Sequence, residues 1–205
     1  MISMVRLGML IDLKRCVGCD SCVLACKVEQ GTPLEIFFTR VYRRLYGKYP
    51  NVKGFFLPLL CNHCEDPACM KACPSHAIYR TSEGIVVIDE EKCVGARACV
   101  NACPYGAIFF LREYDGYFDK PTPYEELLYR RKTKTAVKCD FCQHRLKQGM
   151  KPACVEACPG EARIFGDLDD PDSEPNRYIR ERFPKAEPKP LRPEAATKPK
   201  VLYLL

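Results

Sequence analysis

Apolar positions in this chain fall in short runs, and several of them lead within a few residues into a group of cysteines. Gly8-Met9-Leu10-Ile11-Asp12-Leu13 is short and apolar, which predicts a buried strand. It continues through Lys14 and Arg15 to Cys16. Gly84-Ile85-Val86-Val87-Ile88-Asp89 repeats the arrangement ahead of Lys92 and Cys93. The longest apolar run, Phe55-Phe56-Leu57-Pro58-Leu59-Leu60, is broken by proline. Nothing therefore approaches the roughly 18 to 20 apolar residues that a membrane span needs. Met1 to Leu13 lacks the charged start and small-residue cleavage site of a signal peptide.

Between these runs lie two stretches without cysteine. Residues 27–60 mix Phe37, Phe38, Tyr42, Tyr46 and Tyr49 with Arg and Lys. They read as an inserted arm, either an interface element or a solvated loop over the core. Residues 109–138 form a second arm, with Pro121, Pro123 and the run Arg130-Arg131-Lys132, expected as a solvated basic face. Farther on, Ser173 stands as the N-cap of a short helix from Pro175 to Phe183. Five prolines and alternating charges between Pro184 and Pro199 predict an extended tail laid on a partner rather than a core element. Val201-Leu202-Tyr203-Leu204-Leu205 has the pattern of a final strand.

The chain has 205 residues and 15 cysteines. The cysteines form four motifs: Cys16, Cys19, Cys22, Cys26; Cys61, Cys64, Cys69, Cys73; Cys93, Cys99, Cys103; and Cys139, Cys142, Cys154, Cys158. In the third, Ala96 stands where the form C-x2-C-x2-C-x3-C-P calls for its second cysteine. Disulfides fit badly, because the count is odd and the cysteines crowd two and three residues apart. Zinc suits an isolated C-x2-C pair, but not four cysteines within eleven residues followed by proline. Iron–sulfur clusters fit the whole pattern. Three closely spaced cysteines wrap one cluster, and the fourth, placed at a helix start, points to a second. The proline after it turns the chain away and needs no backbone donor. Such clusters come in pairs. Pro74-Ser75-His76-Ala77-Ile78, Pro104-Tyr105-Gly106-Ala107-Ile108 and Pro159-Gly160-Glu161-Ala162-Arg163 follow three of the motifs, and this repetition points to a duplicated unit. Four such runs mark an electron-transfer protein. Because a methyl group cannot hold iron, one corner of one cluster lacks its protein ligand at Ala96.

Charge changes little in this picture. The formal sum is +6, but four oxidised four-iron clusters with their thiolates would carry roughly −8. The basic surplus thus balances cofactors and does not argue for nucleic acid. Among bases beside the motifs (Lys14, Arg15, Lys27, Lys92, Arg97, Lys138), Arg97 is the one weighed as tuning a cluster; the rest read as ordinary exposed side chains. His63, between Cys61 and Cys64, offers a hydrogen bond to a cluster sulfur or an iron ligand as one reading and an outward-pointing loop histidine as the preferred one; His76 and His144 carry no signal. There is no glycine-rich phosphate loop, no G-x-S-x-G elbow and no H-E-x-x-H. Substrate chemistry is expected of a partner, and no catalytic residue is assigned.

These motifs, including the eleven-residue gap between Cys142 and Cys154, resemble the four-cluster electron-transfer subunit of the dimethyl-sulfoxide-reductase-type molybdenum enzymes over roughly residues 5–170. Cys26 departs from the pattern in being followed by Lys27 rather than proline. The resemblance implies an α+β fold of duplicated bacterial two-[4Fe-4S] ferredoxin-like lobes with inserted arms and an extended C-terminal tail. One lobe would comprise 1–30 and 131–170, the other 55–113, with arms at 31–54 and 114–130 and the helix and tail at 171–205. It implies four ligand sets: Cys16, Cys19, Cys22, Cys158; Cys26, Cys139, Cys142, Cys154; Cys61, Cys64, Cys69, Cys103; and Cys73, Cys93, Cys99 beside Ala96. Three [4Fe-4S] clusters and one [3Fe-4S] cluster are expected, with four [4Fe-4S] clusters as the alternative. The expected partners are a molybdopterin (Mo or W) catalytic subunit and an integral-membrane, quinone-reactive anchor. The first cluster would face the catalytic subunit and the Ala96 cluster the anchor. The chain would be membrane-associated through those partners, on the periplasmic face by co-export with the catalytic subunit. A polyferredoxin-like subunit of a hydrogenase or formate dehydrogenase complex is the nearest alternative, and a zinc-built binding module the one from another class.

Overall fold

In the computed structural model, residues 5–113 and 131–205 are described; Pro121, Pro123 and Arg130 of the second arm lie outside them. The first strand, β1 (Leu7–Asp12), is followed by α1 (Ser21–Gln30), β2 (Thr39–Lys48), β3 (Asn51–Leu60), α2 (Ala68–Lys71), β4 (Ile78–Arg80), β5 (Val86–Ile88) and α3 (Ala98–Ala102). Then come β6 (Ile108–Leu111), β7 (Thr135–Lys138), α4 (Gln143–Leu146), α5 (Ala153–Glu156), β8 (Arg163–Asp167), α6 (Glu174–Arg182), β9 (Lys189–Pro190) and β10 (Val201–Leu204).

The main sheet has the order β8-β1-β10-β9, with β10 parallel to β1 and β8 antiparallel to it. Both faces of β1 are covered. Met9 and Ile11 pack with Phe165, Val201 and Tyr203 against the cysteine motifs, while Leu10 joins Ile164, Leu204 and, from α6, Tyr178 and Ile179. That is why β1 reads as an unbroken apolar run instead of an alternating one. The expected C-terminal strand is present, and it is an inner strand of the sheet: Val201, Tyr203 and Leu204 are buried in the core.

Three two-stranded sheets complete the framework. β4 pairs with β5, joining the end of the second motif to the approach of the third. β6 pairs with β7, joining the third motif to the fourth. The first arm is an antiparallel hairpin of β2 and β3, from Thr39 opposite Leu60 out to Lys48 opposite Asn51. It is neither a loop nor apolar by period: its outer half is exposed, with Tyr42, Leu45, Tyr46 and Val52 more than half solvent-exposed. Helix α6 starts one residue earlier than expected, with Ser173 at its N-cap position.

The aspartates that end the two repeated strands have one task. Asp12 Oδ1 accepts from the Lys14 N–H at 2.9 Å, and its Oδ2 accepts from the Tyr178 hydroxyl at 2.7 Å. Asp89 Oδ1 accepts from the Glu91 N–H at 3.0 Å. Each is a carboxylate that turns its strand into a cysteine motif by satisfying backbone donors two residues on. Arg131 corrects the expectation of a solvated basic run. Its guanidinium is half-buried, donating to Gln30 Oε1 at 2.8 Å and Glu90 Oε1 at 3.1 Å.

Candidate cofactor-binding sites

Each motif opens with a loop whose second residue after the leading cysteine has a left-handed backbone: Gly18 (φ 68°), His63 (φ 43°), Gly95 (φ 74°) and Phe141 (φ 56°). Such turns expose successive backbone N–H groups to one side and suit an anionic occupant. Glycine is needed in the first of these, because a Cβ on Gly18 would lie 2.4 Å from the Phe56 ring. The fourth cysteine corrects the sequence reading. Cys73, Cys103 and Cys158 follow the ends of α2, α3 and α5 rather than standing at helix starts, and Cys26 lies inside α1.

The fold gathers the cysteines into groups drawn from different motifs. Cys16, Cys19, Cys22 and Cys158 line one cavity. Cys61, Cys64, Cys69 and Cys103 line another. Cys26, Cys139, Cys142 and Cys154 are all buried and feel one another's charge: burial first, then Cys154 and Cys142, push Cys26 up, and burial with Cys26 does the same to Cys139. Cys99 is raised by burial and then by Cys73 and Cys93. Ala96, beside this last group, is exposed. All 15 cysteines are free thiols.

Burial is the largest cause of these shifts. It lifts Cys64 and Cys142 to about 11 and Cys69 to about 12. Thiols held neutral in this way surrender their protons to a metal, which then takes the place of a missing counter-charge. The donor set is all sulfur, the choice of iron–sulfur chemistry. The thiols surround cavities instead of converging on a point: among the described residues, no three His, Cys, Asp or Glu side chains are placed to hold a single ion. Buried Asn62 and His63 line the Cys61 cavity, and the Asn62 amide and His63 Nε2 have no hydrogen-bond partner among the described residues. His63 Nδ1 accepts from the Val86 N–H at 3.2 Å, so the neutral ring carries its proton on Nε2. Donors without acceptors beside four thiols fit a sulfide-bearing group.

His63 is therefore not an outward-pointing loop residue. It is fully buried, and its ring stacks on Phe141 with centroids 3.8 Å apart. Lys138 is likewise corrected: it is buried, its ammonium donating to the Val86 carbonyl and, at 2.8 Å, to that of Cys139. Lys27 is half-buried and donates to the Pro33 and Ile36 carbonyls at 2.7 and 2.9 Å. Arg97 is exposed, and its guanidinium lies 4.0 Å over the Phe110 ring.

One contact was missed by sequence reasoning. Arg163 is buried, with Nη2 3.4 Å from Cys22 Sγ and Nη1 3.7 Å from Cys154 Sγ. The signal was in the repeat. Five residues after the fourth cysteine, the second and third motifs have Ile78 and Ile108, both buried, where the fourth has Arg163.

Residues 52–122 and 112–168 match the family model of a 4Fe-4S dicluster domain, and residues 13–30 match that of a 4Fe-4S binding domain. The chain is 39% identical over 228 residues to the arsenate respiratory reductase iron–sulfur subunit ArrB of a Shewanella species, covering 97% of this chain and 96% of that one. It is 42% identical over 201 residues to a tetrathionate reductase subunit of Salmonella typhimurium, covering 97% and 72%. With one chain of the anaerobic dimethyl sulfoxide reductase of Escherichia coli the identity is 40% over 171 residues, covering 80% and 74%. Thiol groups, fold and relatives agree: this protein belongs to the family of iron–sulfur electron-transfer subunits of the dimethyl-sulfoxide-reductase-type respiratory enzymes.

Proposed function

We propose that the chain carries electrons between a molybdopterin (Mo or W) catalytic subunit and a quinone-reactive membrane anchor, through four clusters held in two ferredoxin-like lobes. Three are [4Fe-4S] clusters, on Cys16, Cys19, Cys22, Cys158; on Cys26, Cys139, Cys142, Cys154; and on Cys61, Cys64, Cys69, Cys103. The fourth is a [3Fe-4S] cluster on Cys73, Cys93 and Cys99, with Ala96 at the empty corner. Each such group, when bound, takes up and releases one electron at a time.

The observation that carries this reading is the unbroken succession of thiol groups. Burial first lifts Cys154, with Arg163 opposing and Cys22 of the first group adding to the rise; burial likewise lifts Cys139, followed by Cys26 of its own group and Cys61 of the third. Cys69 and Cys73, at either end of α2, tie the third to the fourth. The chain's own part is to space these groups, exclude water and supply donors. The Ala162 N–H lies 3.3 Å from Cys158 Sγ, the Ala136 N–H 3.4 Å from Cys93 Sγ, and the Gln30 amide 3.5 Å from Cys142 Sγ. Among the described residues no helix is long and apolar enough to cross a membrane. Attachment is assigned to the anchor subunit, on the periplasmic face.

Substrate is assigned to the catalytic partner, within the range of oxyanions and sulfoxides that the relatives' names cover. Anaerobic purification of the chain with its native partners tests all of this. Iron and sulfide matching four clusters, with an associated molybdenum or tungsten protein, is the expected result. Zinc in place of iron, or no pterin-bearing partner, refutes it.

A further inference from the structure

Arg163 stands at a position where the fold asks for an aliphatic side chain. Its counterparts in the repeats, Ile78 and Ile108, are buried to the same degree, each 3% exposed as is Arg163. Packing alone therefore does not call for a guanidinium here. A buried cation is costly unless something of opposite sign faces it. Among the described residues no Asp or Glu pairs with Arg163; its contacts are Cys22 Sγ, Cys154 Sγ, Met9 Sδ and Thr39 Oγ1.

The two thiols it touches belong to different groups, Cys22 to the first and Cys154 to the second. We infer that Arg163 is the shared counter-charge of these two centres and sets their reduction potentials together. This rests on the ligand sets proposed above. A fixed positive charge beside an electron acceptor stabilises the reduced state and raises its potential. The two contacts, at 3.4 and 3.7 Å, are nearly equal, so both centres are raised and the difference between them is little changed. One electron leaving the first centre for the second oxidises one and reduces the other. No bond breaks and no proton follows, because the compensating charge is already in place.

Arginine suits this better than lysine. It stays charged at every working pH, and its planar fork reaches two sulfurs at once. Thr39, at the base of the hairpin, fixes the fork: its Oγ1 accepts from Arg163 Nη2 at 2.8 Å and donates to the Leu59 carbonyl at 3.1 Å. Thr39 is thus a positioning residue for the same pair of centres.

The test is a potentiometric titration followed by EPR on the anaerobically purified holoprotein, comparing wild type with R163I, R163K and T39V, with iron counted in each. R163I copies the residue of the other repeats. It is expected to shift two midpoints to lower potential together while the other two stay. R163K keeps the charge but cannot span both sulfurs, so a smaller shift at the same two centres is expected. Where R163I fails to load its clusters, T39V decides, with a small downward shift of the same pair expected. Midpoints unmoved in a fully loaded variant, or all four moving alike, would overturn the role of Arg163. A wild-type protein without four centres would overturn the ligand sets, and this inference with them.

Discussion

His63 and Phe141 stack face to face in the core, ring centroids 3.8 Å apart and planes inclined by 28°. They occupy the same position in the second and fourth motifs, where the first and third have Gly18 and Gly95. Both hold a left-handed backbone that a side chain other than glycine adopts at some cost. The stack, complete burial and the Val86 N–H bond to His63 Nδ1 together offset that cost.

Removing the ring separates these contributions. H63A loses the stack and leaves the Val86 N–H without its acceptor, which costs about 1–3 kcal/mol. H63G loses the same contacts but relieves the backbone, so it should be the more stable of the two by about 1–2 kcal/mol. Thermal bleaching of the visible cluster absorption reads both. H63A surviving to a higher temperature than H63G would contradict the strain.

Ala96 is the simplest site to alter. A96C supplies a fourth thiol beside Cys73, Cys93 and Cys99, and is expected to raise iron content by about one atom per chain. The oxidised wild-type protein should show the EPR signal of a three-iron centre, and A96C should lack it. A wild type without that signal would defeat the proposal.

Lys200 brings a pH dependence. Burial first, then the nearby Arg80, lowers its ammonium to about 8, while an unfolded lysine titrates near ~10.4. Between those values the unfolded polypeptide binds more protons than the folded one, so stability rises with pH across the window and is lower below it. K200M should flatten that rise. Melting temperatures of the loaded protein from about pH 7.5 to 9.5 check it; identical slopes in the two proteins would count against the shift.

Truncation before Val201 tests the C-terminal strand. It strips β1 of its parallel neighbour and removes the 2.8 Å bond from the Tyr203 hydroxyl to the Pro58 carbonyl. The shortened protein should fail to accumulate in soluble, brown form. L204A, a milder change at a buried site, should cost about 2–5 kcal/mol. A truncated protein with full iron content would show that β10 is dispensable.

The cysteine spacing made the cofactor class legible, because iron–sulfur ligation needs short fixed separations. β1 was legible because a strand covered on both faces has nowhere to place a polar residue. Other features were hidden for physical reasons. The β2–β3 hairpin has an exposed outer half, so its polar and aromatic residues show no two-residue period. β10 reads as a final strand from its apolar run, but its inner place in the sheet does not show, because its parallel neighbour β1 lies at the other end of the sequence. His63 and Lys138 are polar side chains whose partners come from distant parts of the sequence, Val86 above all, and no local pattern announces such contacts. Arg163 could have been noticed as an arginine in an isoleucine's place, but only after aligning the repeats.

The order of strands in the main sheet bears on how the protein is made. β1 leaves the ribosome well ahead of its two neighbours, β8 and β10, which begin at Arg163 and Val201. Met9, Leu10 and Ile11 therefore have no native sheet partner until the later strands have been synthesised, and contacts closed over such separations form slowly. In the meantime this apolar stretch lacks the cover that the later strands give it. On the ligand sets proposed above, iron would reach the group containing Cys16 only after Cys158 has been made, whereas Cys61 to Cys103 would be complete while synthesis continues.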